Sequence, residues 1–262
     1  MTVGFFSGLI VTILIVGASL LGLSFARKWH NKTDLEPQHE ITDPYSQIVA
    51  MLFAVLIGFM VADAMQRFTV ARQTVQQEAS SLGNVFRLAN GLPEKNCHEL
   101  RELCAQYAHE VIVDEWPMLA QKQDSAKAWK IYKELWADCT EYEPSTQRQS
   151  NAQNQLLEAM MSLGDSRRLR VEALHAGLPA ALWVVLVIGG IATIVFTYFF
   201  AARSMKVQVV MVGIVSLVVC LNLFLLATYD DPFSGDVTVT PSAFETQLKL
   251  FRLEGYEGNL KP

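Results

Sequence analysis

Leu52, Leu56, Phe59 and Asp63 recur at spacings of four, three and four inside an apolar run from about Gln47 to Met65. At about 100° per residue, that spacing gathers three apolar side chains and one carboxylate on a narrow helix face. Repeated around an axis by several copies of the chain, such a face supplies a hydrophobic constriction and a ring of carboxylates, which attracts cations and repels anions. Ala50, Ala54, Gly58 and Ala62 form a ridge of small residues roughly opposite. A small residue at every fourth position lets another membrane helix approach closely. A second reading of Asp63 stays open beside the first. Near the end of its run and four residues before Arg67, it can sit in the headgroup layer as a solvated ion or as half of an i to i+4 pair.

Other chemistry-bearing residues are scattered. Asp230, Asp231 and Asp236 cluster in a short turn-forming stretch, and hard cations such as calcium want several carboxylate oxygens from one tight loop. Asp and Gly are equally what any turn at a helix end uses. Cys97, Cys104, Cys139 and Cys220 show no CxxC or His-spaced pattern, so no structural zinc site is expected. Cys104 and Cys139 either pair across a helical hairpin in an oxidising compartment or remain buried thiols. No GxSxG, HExxH or phosphate-cradling glycine loop occurs, and no cofactor or enzymatic activity is expected. A net charge of −5 and the lack of a dense Lys/Arg block argue against nucleic acid as a partner.

The elements that must hold the Leu52 to Asp63 face are spans. Four apolar runs, about Val3 to Phe25, Gln47 to Met65, Leu178 to Phe200 and Val207 to Thr228, each approach the roughly 20 residues a helix needs to cross a bilayer. The chain is 51% hydrophobic with a mean hydropathy of +0.24, yet 18% charged, as when spans are interleaved with a hydrated domain. No basic stretch precedes the first run, so it is read as a retained helix and not a signal peptide. Within the spans, Ser7, Thr12, Ser19, Thr193, Thr197 and Ser216 can return hydroxyls to their own helix, whereas the amide of Asn222 asks for a neighbouring helix. Gly4 with Gly8 and Ala18 with Gly22 are again close-packing spacings.

Between the pairs of spans the periodicity is helical throughout. The stripe Phe68, Val75, Ala79, Leu82 and Phe86 continues the second span into the soluble part, and Gly91 with Pro93 stops it. A second helix is expected from Glu94 to Glu115, ended by Trp116 and Pro117. A third opens on an Asp124/Ser125 cap and closes before Pro144, and a fourth runs from about Thr146 to Ala176. After the last span a turn leads to an extended Val237 to Thr240 piece. Thr240 then caps a helix starting at Pro241 with Phe244, Leu248 and Phe251 on one face. The expected fold class is all-α: spans over 1–65 and 178–228, a helical bundle over 66–177 continuous with the second span, and a tail over 229–262 packing on it.

Several stretches together resemble the bestrophin-like membrane family: QRFTVARQTVQQEASSLGNVFRLANGLP (Gln66 to Pro93), EWP (Glu115 to Pro117) and RRLR (Arg167 to Arg170). LPAALW (Leu178 to Trp183), Gly189 with Gly190, and DDPFSGD (Asp230 to Asp236) belong to the same pattern. The resemblance covers nearly the whole chain. It implies the layout of bestrophin ion channels: a pore lined by the second span, subunits in a ring, and a cytoplasmic bundle in the cell (inner) membrane. Loop charges give a different answer for the orientation. Arg27, Lys28, Lys32, Arg203 and Lys206 lie on one side, and Arg67, Arg72, Arg167, Arg168 and Arg170 flank the membrane on the other. The rule weighs short loops most, which favours an external bundle. Four helices enclose no wide aqueous path alone, so conduction of inorganic ions across a lipid bilayer requires a homo-oligomeric ring. The alternative is a non-conducting membrane sensor or scaffold whose bundle binds a protein partner.

Overall fold

Long uninterrupted apolar stretches satisfy their own backbone hydrogen bonds only as helices, and helices account for every regular element of the computed structural model, which describes residues 4–29, 39–200 and 204–256. Val3, Lys32 and Arg203 lie outside the described residues. The elements are α1 (Phe5–Trp29), α2 (His39–Leu88), α3 (Glu94–Glu110), α4 (Trp116–Leu119), α5 (Ala126–Glu141), α6 (Gln147–Ala173), α7 (Ala180–Phe196), α8 (Met205–Tyr229) and α9 (Ser242–Leu253). No strand occurs among the described residues, and Val237 to Thr240 is irregular rather than extended. Two compact units result: Met1–Gln66 with Gly177–Asp231 and Gly235–Val237, and Arg67–Ala176 with Pro232–Ser234 and Thr238–Pro262. Helix α2, 50 residues long, contributes to both.

In the first unit, four helices are long and apolar enough to cross a membrane. Glycines set how closely they pack. A β-carbon on Gly8 would run into the ring of Phe224, which ties α1 to α8, and one on Gly189 would stand 2.7 Å from the ring of Phe53. Gly190 faces Val219 at 3.1 Å, so the glycine pair lets α7 receive α2 on one side and α8 on the other. Ser19, Thr193 and Thr197 return their hydroxyls to their own helices, and the Ser216 hydroxyl donates to Ser19 Oγ across α8 and α1 at 2.8 Å. Asn222 departs from expectation. Its amide donates to Val218 O at 2.9 Å, one turn back on its own helix, and so needs no neighbour.

In the second unit, the stripe of α2 is buried at Val75, Ala79, Leu82 and Phe86, and a 3₁₀ turn at Ala89–Gly91 ends the helix before Pro93. Ser125 caps α5 by accepting the Ala128 amide at 3.1 Å, and Thr146 caps α6 through Gln149. The helix expected to end at Trp116 continues. After α3 the ladder widens into a π-turn at Val111–Glu115 and carries on through α4, with Pro117 in the first turn, where a missing N–H is tolerated. Thr240 does not cap α9. Pro241 holds that position, and Thr240 Oγ1 donates to Ser242 Oγ instead. The apolar face of α9 is buried as its spacing demands, with Phe251 stacked on Phe86 at 3.9 Å between centroids and Phe244 fully enclosed. The indole N–H of Trp116 donates to Val239 O, fixing the chain that leads into α9.

Candidate functional site

Three faces of α2 separate in the first unit. Phe53, Ile57, Met60 and Ala64 point inward, with Phe53 and Ile57 only 8% and 6% exposed, and pack among Leu186, Ile194 and Val219. The face holding Leu52 and Phe59 is turned away from this core: they are 66% and 68% exposed, and Asp63 is exposed with them, while Leu56 leans partly onto the core. The ridge of Ala50, Ala54, Gly58 and Ala62 is also uncovered, and nothing lies within 4 Å of a β-carbon placed on Gly58. Among the described residues no helix covers that ridge. Both surfaces singled out by spacing are therefore outward surfaces of one protomer.

Two of the tail aspartates, Asp230 and Asp236, behave as helix-end residues. Asp230 accepts the Leu178 amide at 2.7 Å and the Trp183 indole N–H at 3.4 Å, which anchors the start of α7. Asp236 accepts the amide of Phe5 at the start of α1. Among the described residues no three His, Cys, Asp or Glu groups gather to hold a metal, while Asp230 and Asp236 already accept backbone amides. The Asp230 and Asp236 oxygens serve amides at helix starts, the groups that most need an acceptor. The four cysteines are free thiols, and burial pushes the Cys139 thiol up to about 12.

The polar centre of the second unit has no counterpart in the sequence expectations. Glu78 of α2, Tyr107 of α3, Glu115 of the π-turn and Arg167 and Arg170 of α6 form one buried network, with Arg170 and Glu115 both 0% exposed. Arg170 grips Glu78 through Nε at 2.6 Å and Nη2 at 3.0 Å, and the same Nη2 reaches Glu115 Oε2 at 2.9 Å. Arg167 forks onto both oxygens of Glu115 at 2.9 and 2.7 Å and also donates to Tyr107 Oη, whose own proton goes to Glu78 Oε1 at 2.6 Å. The Ser125 amide completes Glu115 at 3.1 Å. Two cations against two anions make the set neutral, the condition under which charges survive burial. Burial alone would raise the Glu115 pKa, but Arg170 and then Arg167 hold it below the usual carboxylate value. Burial and then the neighbouring Glu78 push the Tyr107 phenol well above its ordinary value.

This network corrects the charge count. Arg167 and Arg170 are buried in the core and neutralised by Glu78 and Glu115, leaving Arg67, Arg72 and Arg168 against the five loop cations. The sequence did hold a signal for it. Leu156, Met160, Leu163, Arg167, Arg170 and Leu174 follow one helical stripe, and Glu78 falls on the stripe of Val75 and Leu82, so charges occupy positions that should be apolar.

The comparisons agree with this architecture. A family model described as the Bestrophin-like domain matches residues 13–244. No curated protein matches the sequence. Crystal structures of a bacterial bestrophin homologue from Klebsiella pneumoniae are similar in fold at low identity. One variant superposes with a TM-score of 0.69 at 14% identity, covering 94% of this chain and 99% of that one. A second gives 0.70 at 11% identity over 92% and 99%.

Proposed function

Because the chain belongs to the bestrophin-like family, we propose that it is an oligomeric ion channel whose central pore is lined by the Leu52, Leu56, Phe59 and Asp63 face of α2. The observation that carries this reading is the exposure of that face: Leu52 and Phe59 are large apolar residues that no helix among the described residues covers. In a ring of copies, the four-residue ridge of Ala50, Ala54, Gly58 and Ala62 packs closely against a neighbour, and the apolar face turns to the axis. Phe59 then forms the narrow apolar constriction, and Asp63, one turn on, forms a carboxylate ring that favours cations. The chain acts by conduction and not by catalysis.

Asp63→Asn tests the ring. In reconstituted protein under a salt gradient, the reversal potential is expected to move toward lower cation preference, and an unchanged reversal potential removes Asp63 from the pore. If planar-bilayer recording of the unmodified protein gives no current under any ionic condition, the sensor or scaffold reading replaces the channel. We place the bundle on the cytoplasmic side, following the family layout, although the loop charges run the other way. In intact cells Cys97, partly exposed on α3, is then expected to escape an impermeant thiol reagent, and rapid labelling reverses the orientation.

A further inference from the structure

An open cleft of about 580 Å³ lies between helices α5 and α6, apart from the proposed pore and touching the buried network only at Arg167. One wall is aromatic. Trp129 and Tyr132 lie nearly parallel with centroids 5.2 Å apart, and Trp136 continues the wall 6.4 Å beyond Tyr132. Gly164 of α6 makes this possible, since the Tyr132 hydroxyl lies against it where any β-carbon would collide. The rest of the lining holds three carboxylates, Asp124, Asp165 and Glu172, two arginines, Arg167 and Arg168, and the apolar Met161 and Val171.

The charges present favour a cation. Arg167 reaches the cavity, but its guanidinium is held by Glu115. Arg168 is shared between Asp165 at 3.2 Å and Glu172 at 4.0 Å. Asp124 has no ion pair or hydrogen bond to another described residue, because Ser125 alone caps α5 and leaves the neighbouring carboxylate unused. The aromatic wall already draws positive charge. Lys133 and Arg167 both stand over the Trp129 ring, at 5.8 and 5.9 Å from its centroid. The volume suits a small organic molecule and is far larger than a bare ion needs.

We propose that this cavity binds a small organic cation, an ammonium bearing apolar or aromatic groups, with its charge beside Asp124 and its apolar part on Trp129, Tyr132 and Trp136. The site stands independently of the pore. A ligand there touches Arg167, and through it the network that joins α6 to α2, so occupancy is read by the bundle core.

Calorimetric titration of the full chain in lipid nanodiscs with benzyltrimethylammonium, and separately with benzenesulfonate, tests the assignment. Binding is expected for the cation alone. Asp124→Asn should weaken it about threefold, the scale of one exposed ion pair, and Trp129→Ala about tenfold, the scale of one lost aromatic contact. The Asp124→Asn side chain lies at the cavity edge, so its thermal melt should match the unmodified protein and keep the test valid if Trp129→Ala folds poorly. Three results would overturn the proposal: no cation binding up to about 10 mM, equal or tighter binding of benzenesulfonate, or undiminished cation binding by Asp124→Asn.

Discussion

Replacing Arg170 by Met is expected to cost the bundle about 3–5 kcal/mol, the penalty of removing one member of a buried ion network and stranding its partners. Met fills much of the volume of the arginine stem, so cavity formation adds little, and the loss comes from charge. Glu78 would lose both of its arginine bonds, and Glu115 one of its three. Glu115 would remain paired with Arg167, whereas Glu78 would keep only the Tyr107 proton. Thermal unfolding followed by circular dichroism should fall by roughly 10–20 °C for a domain of this size. Removing the stranded carboxylate as well, in Arg170→Met with Glu78→Leu, should recover part of that loss, because a well-packed apolar pair can equal a buried ionic one. A single variant as stable as the unmodified protein, or a double variant worse than the single, would show that the network is not what holds α2 to α6.

Gly58→Leu is expected to abolish oligomerisation while leaving the protomer folded. Nothing among the described residues lies within 4 Å of a β-carbon at that position, so a leucine meets no obstacle there. Between copies in close contact along Ala50, Ala54, Gly58 and Ala62, the same side chain forces the helices apart by several ångströms. Size-exclusion chromatography with light scattering should show loss of the assembled species with helical content unchanged, and conduction should disappear with it. An assembly of unaltered mass would mean that the ridge faces lipid, and the pore geometry would need another helix.

The spans were readable because some 20 consecutive apolar residues have few alternatives to a membrane helix. The continuity of α2 was readable too, since its stripe runs through Phe68 and Val75 without a breaker until Gly91. What escaped reading was tertiary. Arg167 and Arg170 look like any solvated RRLR stretch until Glu78, Tyr107 and Glu115 arrive from three other segments, 92, 60 and 52 residues distant in the pairs they form. The engagement of the tail aspartates Asp230 and Asp236 escaped for a related reason. Composition shows that carboxylates are near one another in sequence, and only the fold shows that two of them are already engaged by the amides of Leu178 and Phe5. The outward placement of Leu52 and Phe59 follows from Phe53 and Ile57 taking the interior, a choice that the Gly189 and Gly190 pair on α7 determines and that α2 alone does not encode.

The widened turn at Val111–Glu115 amounts to one surplus amino acid lodged in an otherwise regular helix. Excise it and every later position swings by about 100° around the axis, carrying the Glu115 carboxylate out of reach of both guanidinium groups. The pairing at the heart of the bundle therefore depends on chain length as much as on residue identity, and a one-codon deletion here is more damaging than most substitutions nearby.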